Sequence, residues 1–174
     1  QWRRYFPGLP AYLNNLNTAG AESNLLIAER LSPNDGDLCL ALAQTDIAQG
    51  RRENAEERLR ALLAEVDSLP ASLTSATRIC LAQLLQESDH SEEAMSCVEQ
   101  VLETEPGHPA ALRIRAALLA NSNRREEAIA DYTRLISANA ALTAVALEQS
   151  LLERGRLHLE GGDWPPAIAD FSKF

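Results

Sequence analysis

Apolar positions along this chain recur with the period of an α-helix. Residues 91–109, SEEAMSCVEQVLETEPGHP, show the cadence: a helix-start serine, then Glu93 and Ala94, then apolar side chains at Val98, Val101 and Leu102, and a stop at Pro106 and Gly107. Apolar residues three and four apart share one helical face, and Pro-Gly ends the run. Repeated along the chain, the cadence predicts helices over 10–17, 19–31, 36–49, 52–66, 71–86, 92–103, 109–120, 126–137, 142–160 and from 165 to the end.

These helices come in pairs. A small residue precedes an apolar face at Ala21, Ala55, Ala94, Ala128 and Ala167, spaced 34, 39, 34 and 39 residues apart. A period near 34 is that of stacked helical hairpins. The five-residue surpluses fall near DSLPASLT and ANAALTAV, each ahead of a first (A) helix, which is expected to be longer there. Two further stretches rhyme: GRRENAEERL at 50–59 and NRREEAIADY at 123–132. They take the same place in two hairpins, the A–B turn and the first turn of helix B. Glu53 and Glu126 then stand near helix N-termini, where the macrodipole favours anions. The adjacent arginines are expected to pair with neighbouring carboxylates rather than to clamp a phosphate.

In these features the chain resembles the tetratricopeptide repeat (TPR) family. One unit offers Leu81, Ala82 and Leu85 on helix A, then Ala94, Val98, Val101 and Pro106 on helix B and at its end. The next offers Leu112, Ala116, Leu119, Ala128, Tyr132 and Leu135, and the last Leu151, Gly155, Ala167 and Phe171. An earlier unit has Leu42, Ala43, Gly50, Ala55, Leu59 and Leu62; the first keeps only Ala21, Leu25, Ala28 and Pro33. The resemblance implies an all-α, right-handed superhelix of stacked antiparallel hairpins, an α-solenoid. Residues 1–18 read as an aromatic- and proline-containing leading segment with part of a first hairpin, and 19–174 as about four and a half hairpins. With Gln1 first and Met95 the only methionine, the sequence reads as a segment of a longer polypeptide.

One hairpin cannot bury its own apolar stripe, so stacked neighbours share a core and leave a concave face. The resemblance places helix A residues on that face and implies that it binds a peptide or partner helix. The implied groove residues are Leu40, Gln44, Ile47 and Ala48; Ile79, Gln83, Gln86 and Glu87; Arg113, Ala117, Ala120 and Asn121; and Leu152, Arg156, Leu159 and Glu160. Amides suit a peptide main chain and arginines a carboxylate. The chaperone-tail subtype needs lysines in the groove, and the only lysine is Lys173, so that mode is rejected. Asp46, Arg115 and Arg154 depart from the pattern by replacing apolar residues. Each is expected to lay its stem over the core with its head in water.

Composition narrows the function further. Net charge is −9, which disfavours an RNA- or DNA-binding repeat, since such surfaces displace counterions from phosphates with basic groups. No apolar run reaches the roughly 18 residues that span a bilayer. Cys39, Cys80 and Cys97 make an odd count without CxxC spacing, which favours small buried hydrophobes and a reducing, cytoplasmic setting. His90, His108 and His158 fall in different repeats, and no phosphate loop, HExxH or GxSxG occurs. The expectation is a non-enzymatic, cofactor-free and metal-free interaction scaffold. Its alternative is a structural or oligomerisation segment that self-associates through the repeat ends.

Overall fold

In the computed structural model the described residues are 35–138 and 143–173, with Leu26, Ile27, Arg30 and Ser32 ahead of them. They contain no strand. In order they form α1 (Gly36–Ala48), α2 (Arg52–Ala64), a 3₁₀ turn (Val66–Ser68), α3 (Ala71–Glu87), α4 (Ser91–Thr104), α5 (Pro109–Asn121), α6 (Arg125–Ser137), α7 (Ala144–Glu160) and α8 (Trp164–Phe171). The helices expected over 10–17 and 19–31, and the leading segment 1–18, lie outside the described residues, apart from Leu26, Ile27 and Arg30, which are helical.

Two compact units divide the chain, residues 1–84 and 85–174. In the first, α1 packs on α2; in the second, α4 packs on α5, α5 on α6, α6 on α7 and α7 on α8. The repeat-signature residues build both cores. Ala43, Ala55, Leu59 and Ala82 are fully buried in the first unit, as are Ala94, Val98, Val101, Ala116 and Ala128 in the second. The signature therefore marks where helices approach, not where they meet solvent.

The A–B turns are built alike. Gly50, Asp89, Asn123 and Gly162 each take a left-handed conformation, with φ of 76°, 62°, 57° and 80°. At each, two backbone N–H groups turn back on the preceding helix: Gly50 and Arg51 donate to the Ile47 and Asp46 carbonyls, and Asn123 and Arg124 to those of Ala120 and Leu119. This is the Schellman closure, which satisfies carbonyls that a helix end leaves orphaned. Asp and Asn tolerate the left-handed region better than other side chains, so they replace glycine in two of the turns.

The surplus residues lengthen helix A as expected: α3 and α7 have 17 residues, α1 and α5 13. Side chains cap three A helices, from Asp35 to Leu38 N–H, His108 to Ala111 N–H and Thr143 to Ala146 N–H. α2 stops two residues short of its expected end, because Ser68 turns its N–H and its hydroxyl onto the Glu65 carbonyl and starts the 3₁₀ turn.

Candidate functional site

The helix A residues implied as a groove differ sharply in exposure. In the first unit Gln44 is exposed and Ile47 and Gln83 half-buried, whereas Leu40 and Ile79 are 9% and 8% exposed and serve the core. Gln86, in the second unit, is half-buried.

In the second unit α5, α6 and α7 enclose a cavity of about 400 Å³. Arg113, Ala117, Ala120 and Asn121 line it from α5, Tyr132 from α6, and Gln149, Ser150, Glu153 and Arg156 from α7. Three residues singled out in the sequence, Arg113, Asn121 and Arg156, thus share one concavity. Leu152 does not line it: 46% exposed, it points off the cavity's α7 face. That face runs through Gln149, Glu153 and Arg156, at helical spacings of four and three; it shares Arg156 with the face drawn from the sequence but has Gln149 and Glu153 in place of Leu152. Their polar i, i+4, i+7 pattern was the available signal.

The charges of this cavity are unevenly satisfied. Arg156 pairs with Glu153 at 2.9 Å and reaches toward Glu160 at 3.9 Å. Arg113 is half-buried and has no hydrogen bond or ion pair among the described residues. Tyr132 is 4% exposed. Burial, with Glu153 nearby, pushes its phenol up to about 12 despite the opposing arginines 113 and 156. Its hydroxyl, protonated at neutral pH as in any tyrosine, lies within electrostatic reach of both guanidinium groups.

Three other cavities have different characters. One of about 470 Å³ in the first unit carries Asp35, Asp37 and Glu65 among apolar side chains. One of about 240 Å³ surrounds Arg115 and Asp131 and balances three arginines against three carboxylates. One of about 300 Å³ holds Glu92, Glu99 and Arg124.

Asp46 is buried, and Arg115 and Arg154, only partly wet, spend their heads on carboxylates of the fold rather than on water alone, which corrects the sequence expectation. Arg115 donates to both carboxylate oxygens of Asp131, at 2.6 and 2.7 Å. Arg154 does the same to Asp170, at 2.8 and 2.5 Å, and also reaches Thr133 Oγ1 at 3.0 Å. Asp46 accepts from Arg51 at 2.7 Å and Arg58 at 3.1 Å. The physical reason is a counter-ion close by, on the facing B helix for Arg115 and Arg154 and on both the turn and α2 for Asp46. It satisfies the buried charge without solvent. Hydrogen bonding to Asp131 raises the Arg115 pKa above its ordinary value.

The rhyming arginines are also engaged. Arg51 bonds Asp46 and Gln49, and Arg124 makes two bonds to Glu127 at 2.7 and 2.6 Å. Arg125 bonds Glu126 and lays its guanidinium over Gly161 in the next A–B turn. Hydrogen bonds from the Glu126 backbone and from Arg125 lower the Glu126 pKa, and the bond from Arg124 lowers that of Glu127.

Histidines stand apart: His90 at the start of α4, His108 capping α5, and His158 near the end of α7, 3.9 Å from Asp163. All three cysteines are free thiols; Cys80 is buried as expected, whereas Cys39 and Cys97 are half-buried. Among the described residues no group of three or more His, Cys, Asp or Glu side chains converges as metal ligands, and no helix is long and apolar enough to cross a membrane.

No protein family and no curated protein matches the sequence itself. Solved structures match its fold. MamA 41-end from Desulfovibrio magneticus RS-1 superposes with a TM-score of 0.76 at 13% identity, over 99% of this chain and 92% of that one. A thermophilic TPR protein from Thermus thermophilus gives 0.75 at 15% identity, over 99% and 89%. BtubC from P. vanneervenii gives 0.74 at 16% identity, over 92% and 72%. The chain has the all-α helical-repeat fold of TPR proteins.

Proposed function

We propose that this chain is a non-catalytic protein-interaction scaffold that holds a peptide or a partner helix against α5 and α7. One observation supports this most: Arg113, Asn121 and Arg156 line a single cavity of about 400 Å³ with Tyr132 and Gln149. Hairpins packed around alanines hold such a surface rigid before binding, which lowers the ordering cost on the scaffold's side. Amide, guanidinium and phenol groups at its edge provide hydrogen bonds, and Ala117 and Ala120 leave room for a ligand to approach the helices.

Selection from a displayed random-peptide library tests this. The selected peptides are expected to bind the chain and to lose at least tenfold in affinity against Ala117→Trp, with helicity and unfolding midpoint unchanged. Undiminished binding to that variant removes the cavity from the function. Light scattering distinguishes the oligomerisation alternative: a monomer at high concentration counts against self-assembly.

A further inference from the structure

We propose that the cavity between α5 and α7 recognises the carboxylate of an acidic side chain in an extended peptide, with Arg113 as the anchoring residue and Tyr132 and Arg156 beside it. This rests on the peptide-binding reading above and specifies its ligand.

Charge distinguishes this cavity from the three others described. In a chain of net charge −9, the residues lining this cavity carry two arginines against one glutamate, a surplus of one positive charge. The first-unit cavity is acidic, the one around Arg115 balanced, and the one at Glu92 has two glutamates to one arginine. The surplus resides on Arg113. Arg51, Arg115, Arg124, Arg125 and Arg154 are all held within the fold by carboxylate partners, whereas Arg113, like Arg78 on α3, has none among the described residues; of these two only Arg113 lines one of the four cavities described. A half-buried guanidinium without a counter-ion loses hydration and gains no protein partner. A carboxylate restores both charge balance and two parallel N–H···O bonds.

The neighbours fit the same ligand. Tyr132 carries its phenolic proton at neutral pH, as any tyrosine does, and it makes no hydrogen bond among the described residues. Its hydroxyl supplies a further donor. Arg156 is already shared with Glu153, so it adds field rather than a vacant fork. One surplus charge matches one carboxylate, whereas a phosphate dianion would leave the cavity negative. The amides of Asn121 and Gln149 suit peptide links, so the anchored residue sits within a chain rather than at its end.

The test uses N-acetyl-glutamate α-amide, N-acetyl-glutamine α-amide, N-acetyl-phosphoserine α-amide and N-acetyl-alanine, titrated into the whole chain labelled with ¹⁵N-arginine. Arginine Nε–Hε signals are followed, with Arg113 assigned by its loss in Arg113→Lys. The glutamate compound is expected to shift the Arg113 signal saturably, at least tenfold more tightly than the glutamine compound, and to weaken as salt rises. Arg113→Gln is expected to abolish the preference for glutamate over glutamine in a selected peptide, with its helicity retained. Equal binding of glutamate and glutamine overturns the carboxylate proposal while leaving the cavity reading intact. No shift with any compound overturns it too, and the Ala117→Trp experiment then decides the peptide reading by itself. Tighter binding of phosphoserine, or of the free carboxylate of N-acetyl-alanine, overturns the assignment to an acidic side chain.

Discussion

Arg115 on α5 grips Asp131 on α6 with two hydrogen bonds, and Arg154 on α7 grips Asp170 on α8 in the same way, 16 residues apart in both pairs. Asp131 and Asp170 are 3% and 2% exposed, and the side chains of Arg115 and Arg154 23% and 15%. Each pair ties helix A to helix B of one hairpin, with the arginine at a position where the TPR pattern has an apolar residue. A buried carboxylate that loses its partner keeps its desolvation cost and gains nothing in return.

Arg115→Ala is therefore expected to lower stability by about 3 kcal/mol, at the lower end for a broken buried pair because the guanidinium is partly wet. Arg115→Met with Asp131→Leu, which removes both charges and keeps the volume, is expected to cost far less than the single change. Urea unfolding of the three proteins checks this. If the single substitution costs under about 0.5 kcal/mol, as an exposed pair would, the pairs do not hold the hairpins.

Phe171 sets the spacing of α7 and α8. A Cβ on Gly155 would lie 2.7 Å from Cε1 and 2.9 Å from Cζ of the Phe171 ring. Gly155→Ala gains about 1 kcal/mol of helix propensity but overpacks this contact by about 1–3 kcal/mol. A net destabilisation near 1 kcal/mol is expected, taking the middle of that overpacking range. In a Phe171→Ala background the clash is gone, and the same Gly155→Ala change is expected to stabilise. A thermal-unfolding cycle reads the reversal of sign, and equal effects in both backgrounds would refute the contact.

Backbone strain is the sole issue at Gly50. Nothing lies within 4 Å of the Cβ position there, yet φ is +76°. Gly50→Ala is expected to cost about 1–2 kcal/mol from the left-handed penalty alone. Asn123→Gly, at φ +57°, is expected to be neutral or slightly stabilising, while Asn123→Val costs more than either. Urea midpoints rank the three variants.

The helices from residue 36 onward, and the pairing of α1 with α2, α5 with α6 and α7 with α8, were legible in the sequence because both follow from local chemistry: apolar spacing, Pro-Gly stops and small residues at close approaches. The A–B turns at Gly50 and Asn123 were legible as well, because the two rhyming stretches put them in the same place in two hairpins. The ion pairs were not legible. Arg115 and Asp131 are 16 residues apart on facing helices, and no spacing rule within one helix connects them. Part of the α7 face was missed for a related reason. Nothing local marks the rotation of that 17-residue helix about its axis, so Leu152 was placed where Gln149 and Glu153 stand.

Alkaline pH is expected to weaken the fold through two buried groups. Burial pushes the Cys80 thiol from 9.0 to about 11, and the Tyr132 phenol moves from 10.0 to about 12. Well below pH 9 both folded and unfolded chains hold these protons, and the contribution is constant. Above it the unfolded chain releases the thiol proton first while the folded chain retains it, so stability falls as pH rises. By pH 10.5 Cys80 is expected to account for a loss of about 2 kcal/mol, with Tyr132 adding to it from pH 10 upward. Urea midpoints between pH 8 and 10.5 are expected to fall less steeply in Cys80→Ala than in the parent chain. Tyr132→Phe is expected to depart from the parent only above pH 10. Parallel pH profiles in all three proteins would mean that neither group is held protonated by the fold.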